Sequence, residues 1–241
     1  MRRIAVLAAA AAVLMPAMVS AQAALRVQPL MVDVSSPSQA SSITLQNNGD
    51  TDLSLQIRVF EWSQVDGEDR LVATNEVVAS PPVAHVAPGS NFTIRVARTV
   101  GAAPAGSEES YRLWIDELPP SSEIREDGGE VAVRLRFDLP VFFHGTDASP
   151  KVAWQARRVG SDLVLEATNT GPRHARIEGM ELRGREGGVS FGEGLNGYVL
   201  AGSTRRWTAP TGSAELLAGG GATVVSGAAD NEVRQAVALA D

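Results

Sequence analysis

From Leu25 to Phe143 apolar and polar residues alternate in short runs broken by proline, glycine and asparagine, as in half-buried β-strands. Ser42 to Gln46 alternates and then meets Asn47-Asn48-Gly49-Asp50, a turn sequence. Leu53, Leu55, Ile57 and Val59 share one face of a strand that continues to Trp62. Pro81-Pro82 and Ala87-Pro88-Gly89 punctuate the next stretch, after which Phe92, Ile94 and Val96 alternate. Tyr111, Leu113 and Ile115 alternate again up to Pro119-Pro120, and Val131, Val133, Leu135, Phe137 and Leu139 form the longest alternation. With the opening stretch Val27 to Val34, about seven closely spaced strands are predicted. That pattern specifies an antiparallel sandwich of immunoglobulin type.

The turn-rich stretch from His144 to Pro150 marks a domain boundary. Beyond it, short strand candidates at Val152–Trp154, Leu163–Leu165, Arg176-Ile177, Gly197–Leu200 and Thr223–Val225 are separated by glycine-rich loops. Glu232 to Leu239 reads as a strand or a short helix. The predicted fold class is all-β, with two immunoglobulin-like sandwiches.

The amino terminus has the form of an export signal. Met1-Arg2-Arg3 is a basic leader, Ile4 to Met15 an apolar run of 12 residues, and Val19-Ser20-Ala21 or Ala21-Gln22-Ala23 a cleavage site. Twelve residues are too few to span a bilayer, which needs roughly 20. The expected organisation is signal peptide 1–23, first domain 24–146 and second domain 147–241, in a soluble product outside the cytoplasm that does not insert into a membrane. Cysteine is absent, so disulfides, thiolate metal sites and cysteine nucleophiles are excluded. The net charge of -7 becomes -9 once Arg2 and Arg3 are removed, and argues against nucleic-acid binding.

Catalytic patterns are sparse. There is no Gly-x-Ser-x-Gly elbow and no His-Glu-x-x-His pair, and Gly219-Gly220-Gly221 lacks the lysine of a phosphate loop. His85, His144 and His174 are isolated in sequence, and each reads as a surface or turn histidine. Glu108-Glu109 and Asp116-Glu117 are carboxylate pairs, but Asp116 and Glu117 point to opposite faces of a strand and do not readily share a substrate. An enzyme is not expected.

The alternation from Val131 to Leu139 admits two readings. Val131, Val133, Leu135 and Phe137 face their own core, or this last strand lies at a sheet edge and offers them to another protein by β-augmentation. Periodicity does not separate the two.

A resemblance bears on the choice. The stretches Ser42 to Gly49, Ser80-Pro81-Pro82-Val83, Ala87-Pro88-Gly89, Glu109 to Pro119 and Leu139-Pro140-Val141-Phe142-Phe143 resemble the PapD-like periplasmic chaperones of the chaperone-usher pathway. Gln56 to Trp62 and Tyr111-Arg112-Leu113 are most similar to the archaic, spore-coat-U-associated (Csu-type) branch. The likeness runs in order through the first domain and is thin in the second, where Asn169 and Gly197 to Leu200 carry it. It implies an L-shaped pair of sandwiches working by donor-strand complementation. In that scheme Val131, Val133, Leu135 and Phe137 fill the groove of a pilus or spore-coat-U-type subunit, which then passes to an outer-membrane usher. No ATP, metal or other cofactor is implied, and the free protein could self-associate through the same edge.

In the P-pilus and type 1 branch, two basic residues anchor the subunit's terminal carboxylate; the corresponding positions here are Met31 and Pro140. The resemblance shifts the anchor to Arg112, with Arg136 assisting and Arg95 a third option, because a guanidinium fork accepts both carboxylate oxygens. The competing assignment makes Arg112 a solvated charge or the partner of Asp116. A different class of function, a secreted binding module for carbohydrate or a surface receptor, would need exposed aromatics among Trp62, Trp114, Trp154 and Trp207. An exported hydrolase would need a nucleophile and base that no motif supplies.

Overall fold

A computed structural model describes residues 25–101, 106–119, 134–185, 187–209, 221–227 and 233–240. The signal segment 1–23 lies outside them, as do the donor candidates Val131 and Val133. The described residues form strands and loops without helix.

The first sandwich contains β1 (Leu25–Gln28), β2 (Val32–Ser35), β3 (Ala40–Asn47), β4 (Leu53–Val65), β5 (Glu68–Ala73), β6 (Val77–Ser80), β7 (Val83–Val86), β8 (Asn91–Arg98), β9 (Glu109–Glu117) and β10 (Arg136–His144). One sheet has the order β1-β3-β8-β6; the other runs β2-β10-β9-β4-β5, with β7 also on β4. Ten strands replace the expected seven for local reasons. The opening stretch breaks at Pro29, which cannot donate to a ladder, so β1 joins β3 while β2 crosses to β10. The ribbon β5 is nearly all exposed and has no alternation to read, and Pro81-Pro82 separates two short strands. The pairing is also not purely antiparallel, because β2 runs parallel to β10.

The core forms where the period-two apolar sets of both sheets meet: Ile43, Leu45, Leu55, Ile94, Leu113 and Ile115 are all fully buried. The predicted turn after β3 is held by Asn47. Its amide donates to the carbonyls of Thr51 (2.8 Å) and Val86 (2.9 Å), and its Oδ1 accepts from Gly49 N (3.0 Å).

The second sandwich contains β11 (Val152–Val159), β12 (Asp162–Asn169), β13 (Ala175–Glu178), β14 (Glu181–Arg183), β15 (Gly188–Ser190), β16 (Leu195–Val199), β17 (Thr204–Thr208), β18 (Ala222–Ser226) and β19 (Val233–Ala240). A seven-stranded sheet β15-β14-β18-β19-β11-β12-β17 faces the pair β13-β16. The segment left open between strand and helix is the strand β19, parallel to β11.

Asn169 repeats the role of Asn47. Its Oδ1 accepts from Lys151 N (2.9 Å) and Gly171 N (3.0 Å), and its amide donates to the carbonyls of Arg173, Val199 and Leu200. Glycine is required at 171, where a Cβ would lie 2.5 Å from Ser149 O and Lys151 N. Asn169→Ala leaves these buried groups unmatched and is expected to cost about 2–3 kcal/mol, read as a lower Tm in a thermal melt.

Candidate functional site

The edge begins with how β10 is paired. On one side it follows β9 from Arg136↔Asp116 to Phe143↔Glu109; on the other, among the described residues, it meets β2 only from Val141 to His144. Arg136 to Pro140 is therefore an edge stretch, where the missing N–H of Pro140 is tolerated. Leu135 extends the ladder by one bond, its carbonyl accepting from Glu117 N at 3.0 Å.

Along this stretch the apolar stripe leaves its own core. Leu139 is 4% exposed, Phe137 is partly buried against the core margin, and Leu135 is 39% exposed. Phe137 also lines an opening of about 570 Å3 with Leu25, Val27 and Leu30, between the free edges of the two sheets.

The opposite parity of these strands builds a charged and aromatic face. Register sets three rows across β10, β9 and β4: Arg136–Asp116–Gln56, Asp138–Trp114–Arg58 and Pro140–Arg112–Phe60. Asp116 accepts from both Arg58 (2.6 Å) and Arg136. Burial works to raise the Asp116 carboxyl, but the hydrogen bonds and charges of Arg136 and Arg58 outweigh it and hold its pKa below the ordinary value. Arg136 lies 4.0 Å from the Trp114 ring centroid and Arg58 5.4 Å, while Phe60 and Trp114 are 4.6 Å apart. These are cation–π and ring contacts on one face.

Arg112 stands 3.7 Å over the Trp62 ring, with Nη1 3.6 Å from Asp138. The pairing with Asp116 expected as an alternative does not form, because Arg58 and Arg136 occupy that carboxylate. Met31 packs on the cluster of Trp62, Phe142, Tyr198 and Leu200, and Pro140 lies opposite Arg112. Both positions that are basic in the other branch thus adjoin the surroundings of Arg112. Arg136 sits four residues from Pro140, about 13 Å along the strand, so the two arginines form separate stations. Arg95 is exposed on β8, in the other sheet.

Histidine placement corrects the sequence expectation. His85 is exposed and bonds Ser54, but His144 and His174 are buried where the two sandwiches meet. His144 Nε2 lies 2.9 Å from Asp33, which also pairs with Arg173. His174 stacks on Phe142 at 3.7 Å, and its Nδ1 lies 2.8 Å from Glu108. Their burial comes partly from the facing sandwich, which leaves no local period to detect. The carboxylates of Glu108 and Glu109 are likewise held by His174 and by Arg98 with Tyr111. Sequence reasoning also missed Arg58 and Asp138 as members of the face. Their signal was parity, since both sit on the non-core side of strands whose core side was already assigned.

The family described as pili and flagellar-assembly chaperone, PapD N-terminal domain, matches residues 24–147. The chain belongs to this family, whose members are chaperones, not enzymes. Among solved structures it is similar to a chain of the CsuC–CsuE chaperone–tip adhesion subunit pre-assembly complex, from the archaic chaperone-usher Csu pili of Acinetobacter baumannii. That likeness has 26% identity and a TM-score of 0.69, over 91% of this chain and 100% of that one. The Escherichia coli chaperone DraB (19%, TM-score 0.55, 84% and 90%) shares the fold. So does a chain of the Salmonella enterica SafA pilin–SafB chaperone complex (12%, 0.57, 88% and 95%). No curated protein sequence matches the chain.

Proposed function

We propose that this chain is a periplasmic chaperone that caps pilus or spore-coat-U-type subunits by donor-strand complementation and passes them to an outer-membrane usher. Residues 1–23 would be removed on export, leaving a chaperone domain 24–146 and a second domain 147–241. The observation that carries the reading is the apolar stripe whose burial lapses from Leu139 to Leu135, along the part of β10 and its approach that, among the described residues, is paired on the β9 side only. A subunit that lacks a strand exposes a groove and two unpaired edges, and such edges aggregate unless covered. Val131, Val133, Leu135 and Phe137 each contribute at most about 1.5–3 kcal/mol when buried, at most roughly 6–12 kcal/mol gross, less what Phe137 already gains against its own core. Association entropy removes a large part, which keeps the subunit releasable.

Arg112 supplies the anchor for the subunit's terminal carboxylate. Its guanidinium is positioned by the Trp62 ring, and its own carboxylate partner, Asp138, is distant enough to yield. The carbohydrate-module reading is disfavoured because Trp62 and Trp154 are buried and Trp207 is partly covered.

Arg112→Ala, co-expressed with a pilus subunit, tests the anchor. The variant is expected to fold, because Arg112 points away from the core, and to lose roughly thirtyfold or more in affinity. Co-purification at the wild-type level would remove the anchor role.

A further inference from the structure

The outer face beside the donor edge carries charges in an order that a bound strand must answer. Cross-strand neighbours share a face of the sheet, so a strand added along Arg136 to Pro140 lengthens each of the three rows by one side chain. In the first row the newcomer meets Arg136, half exposed and sharing the single carboxylate of Asp116 with Arg58. Among the described residues, two guanidiniums on one carboxylate leave a surplus positive charge there, in a chain whose net charge is -7. In the second row it meets Asp138, 44% exposed in its side chain. The inner neighbour of Asp138 in that row is the neutral Trp114, and its cation, Arg112, lies 3.6 Å away in the adjoining row. In the third row it meets Pro140, which carries no charge. Phe137 and Leu139 alternate with these residues and face the core side.

We infer that the free edge of β10 selects its strand by charge register, taking an acidic residue opposite Arg136 and a basic residue two positions along, opposite Asp138. Apolar residues stand opposite Phe137 and Leu139. This rests on the strand-donation reading and adds to it a polar code on the face away from the groove. The occupant is a protein strand of alternating character, with one acid and one base two positions apart, and a strand running in the same direction with the two charges exchanged is rejected by like-charge contact in both rows.

The test uses the mature chain and two peptides, acetyl-Val-Glu-Val-Lys-Val-amide and acetyl-Val-Lys-Val-Glu-Val-amide, titrated by NMR. The indole N–H of Trp114 reports binding. Its ring lies beside Arg136, and among the described residues it lacks the hydrogen-bond partner that Trp62, Trp154 and Trp207 each have. The wild type is expected to prefer one peptide about tenfold, from two rows changed from attraction to repulsion; strand direction decides which. The double variant Arg136→Asp, Asp138→Arg must then prefer the other. Asp138→Asn, which leaves the Arg136–Asp116 pair in place, is expected to reduce the preference to about threefold and serves if the double variant does not fold. Equal binding of both peptides overturns the register while strand addition stands. Binding of neither overturns strand addition at this edge, and the register with it.

Discussion

Leu135→Asp is expected to abolish capture of a pilus subunit and leave the chaperone folded. Leu135 precedes β10, lies outside the buried core, and is tied to the sheet through its carbonyl, which the substitution leaves intact. In the complex the same side chain enters an apolar groove. Losing its burial costs about 1.5–3 kcal/mol, and an aspartate placed there without a partner adds at least about 2 kcal/mol. Together these lower affinity by at least about a hundredfold. Co-purification should yield no subunit, while the melting curve of the free variant stays near wild type. Leu139→Asp is the contrast, since that side chain is sealed in the core and the variant should unfold. Unfolding of Leu135→Asp itself would place Leu135 in its own core and end the donor reading.

That contrast marks what the sequence could and could not convey. Period-two spacing identified the core faces of β3, β4, β8 and β9, because residues such as Ile43, Leu55, Ile94 and Leu113 are buried by the local pleat and one facing sheet. It placed Leu135, Phe137 and Leu139 on one side of a strand equally well. It could not tell where along that side the core ends, which depends on which neighbours β10 keeps. Pairing with β2 stops at Val141, and that boundary follows from the break at Pro29, about a hundred residues earlier in the chain. The arginines fared similarly. Arg112 and Arg136 were visible as cations on the outer parity, but their separation and the capture of Asp116 by Arg58 required the register of three strands. His144 and His174 were misread outright, because the residues that bury them belong partly to the other sandwich.

The junction between sandwiches gives a second large effect on stability, at Glu108. It lies just before β9, and its side chain is 0% exposed. It accepts from His174 N at 3.0 Å, and its carboxylate lies 2.8–2.9 Å from His174 Nδ1. Arg173, on the same segment of the second sandwich, stands 3.9 Å away and is paired more closely with Asp33 of β2. Glu108→Ala strips acceptors from a buried amide and a buried imidazole at once, and each group left unmatched costs about 1–3 kcal/mol. Calorimetry should show a lower Tm and, as the sandwiches lose their shared contact, two transitions in place of one. Glu108→Gln keeps an acceptor for the amide and should lose less than half as much. Because His174 stacks on Phe142, and Phe142 packs with Tyr198 and Trp62 beneath Arg112, loosening this junction should also weaken subunit capture. A single unshifted transition with full capture would show that the two sandwiches hold their arrangement without Glu108, through the aromatic cluster, the Arg173–Asp33 pair and the bonds of Gln64 to Tyr198 and Leu200.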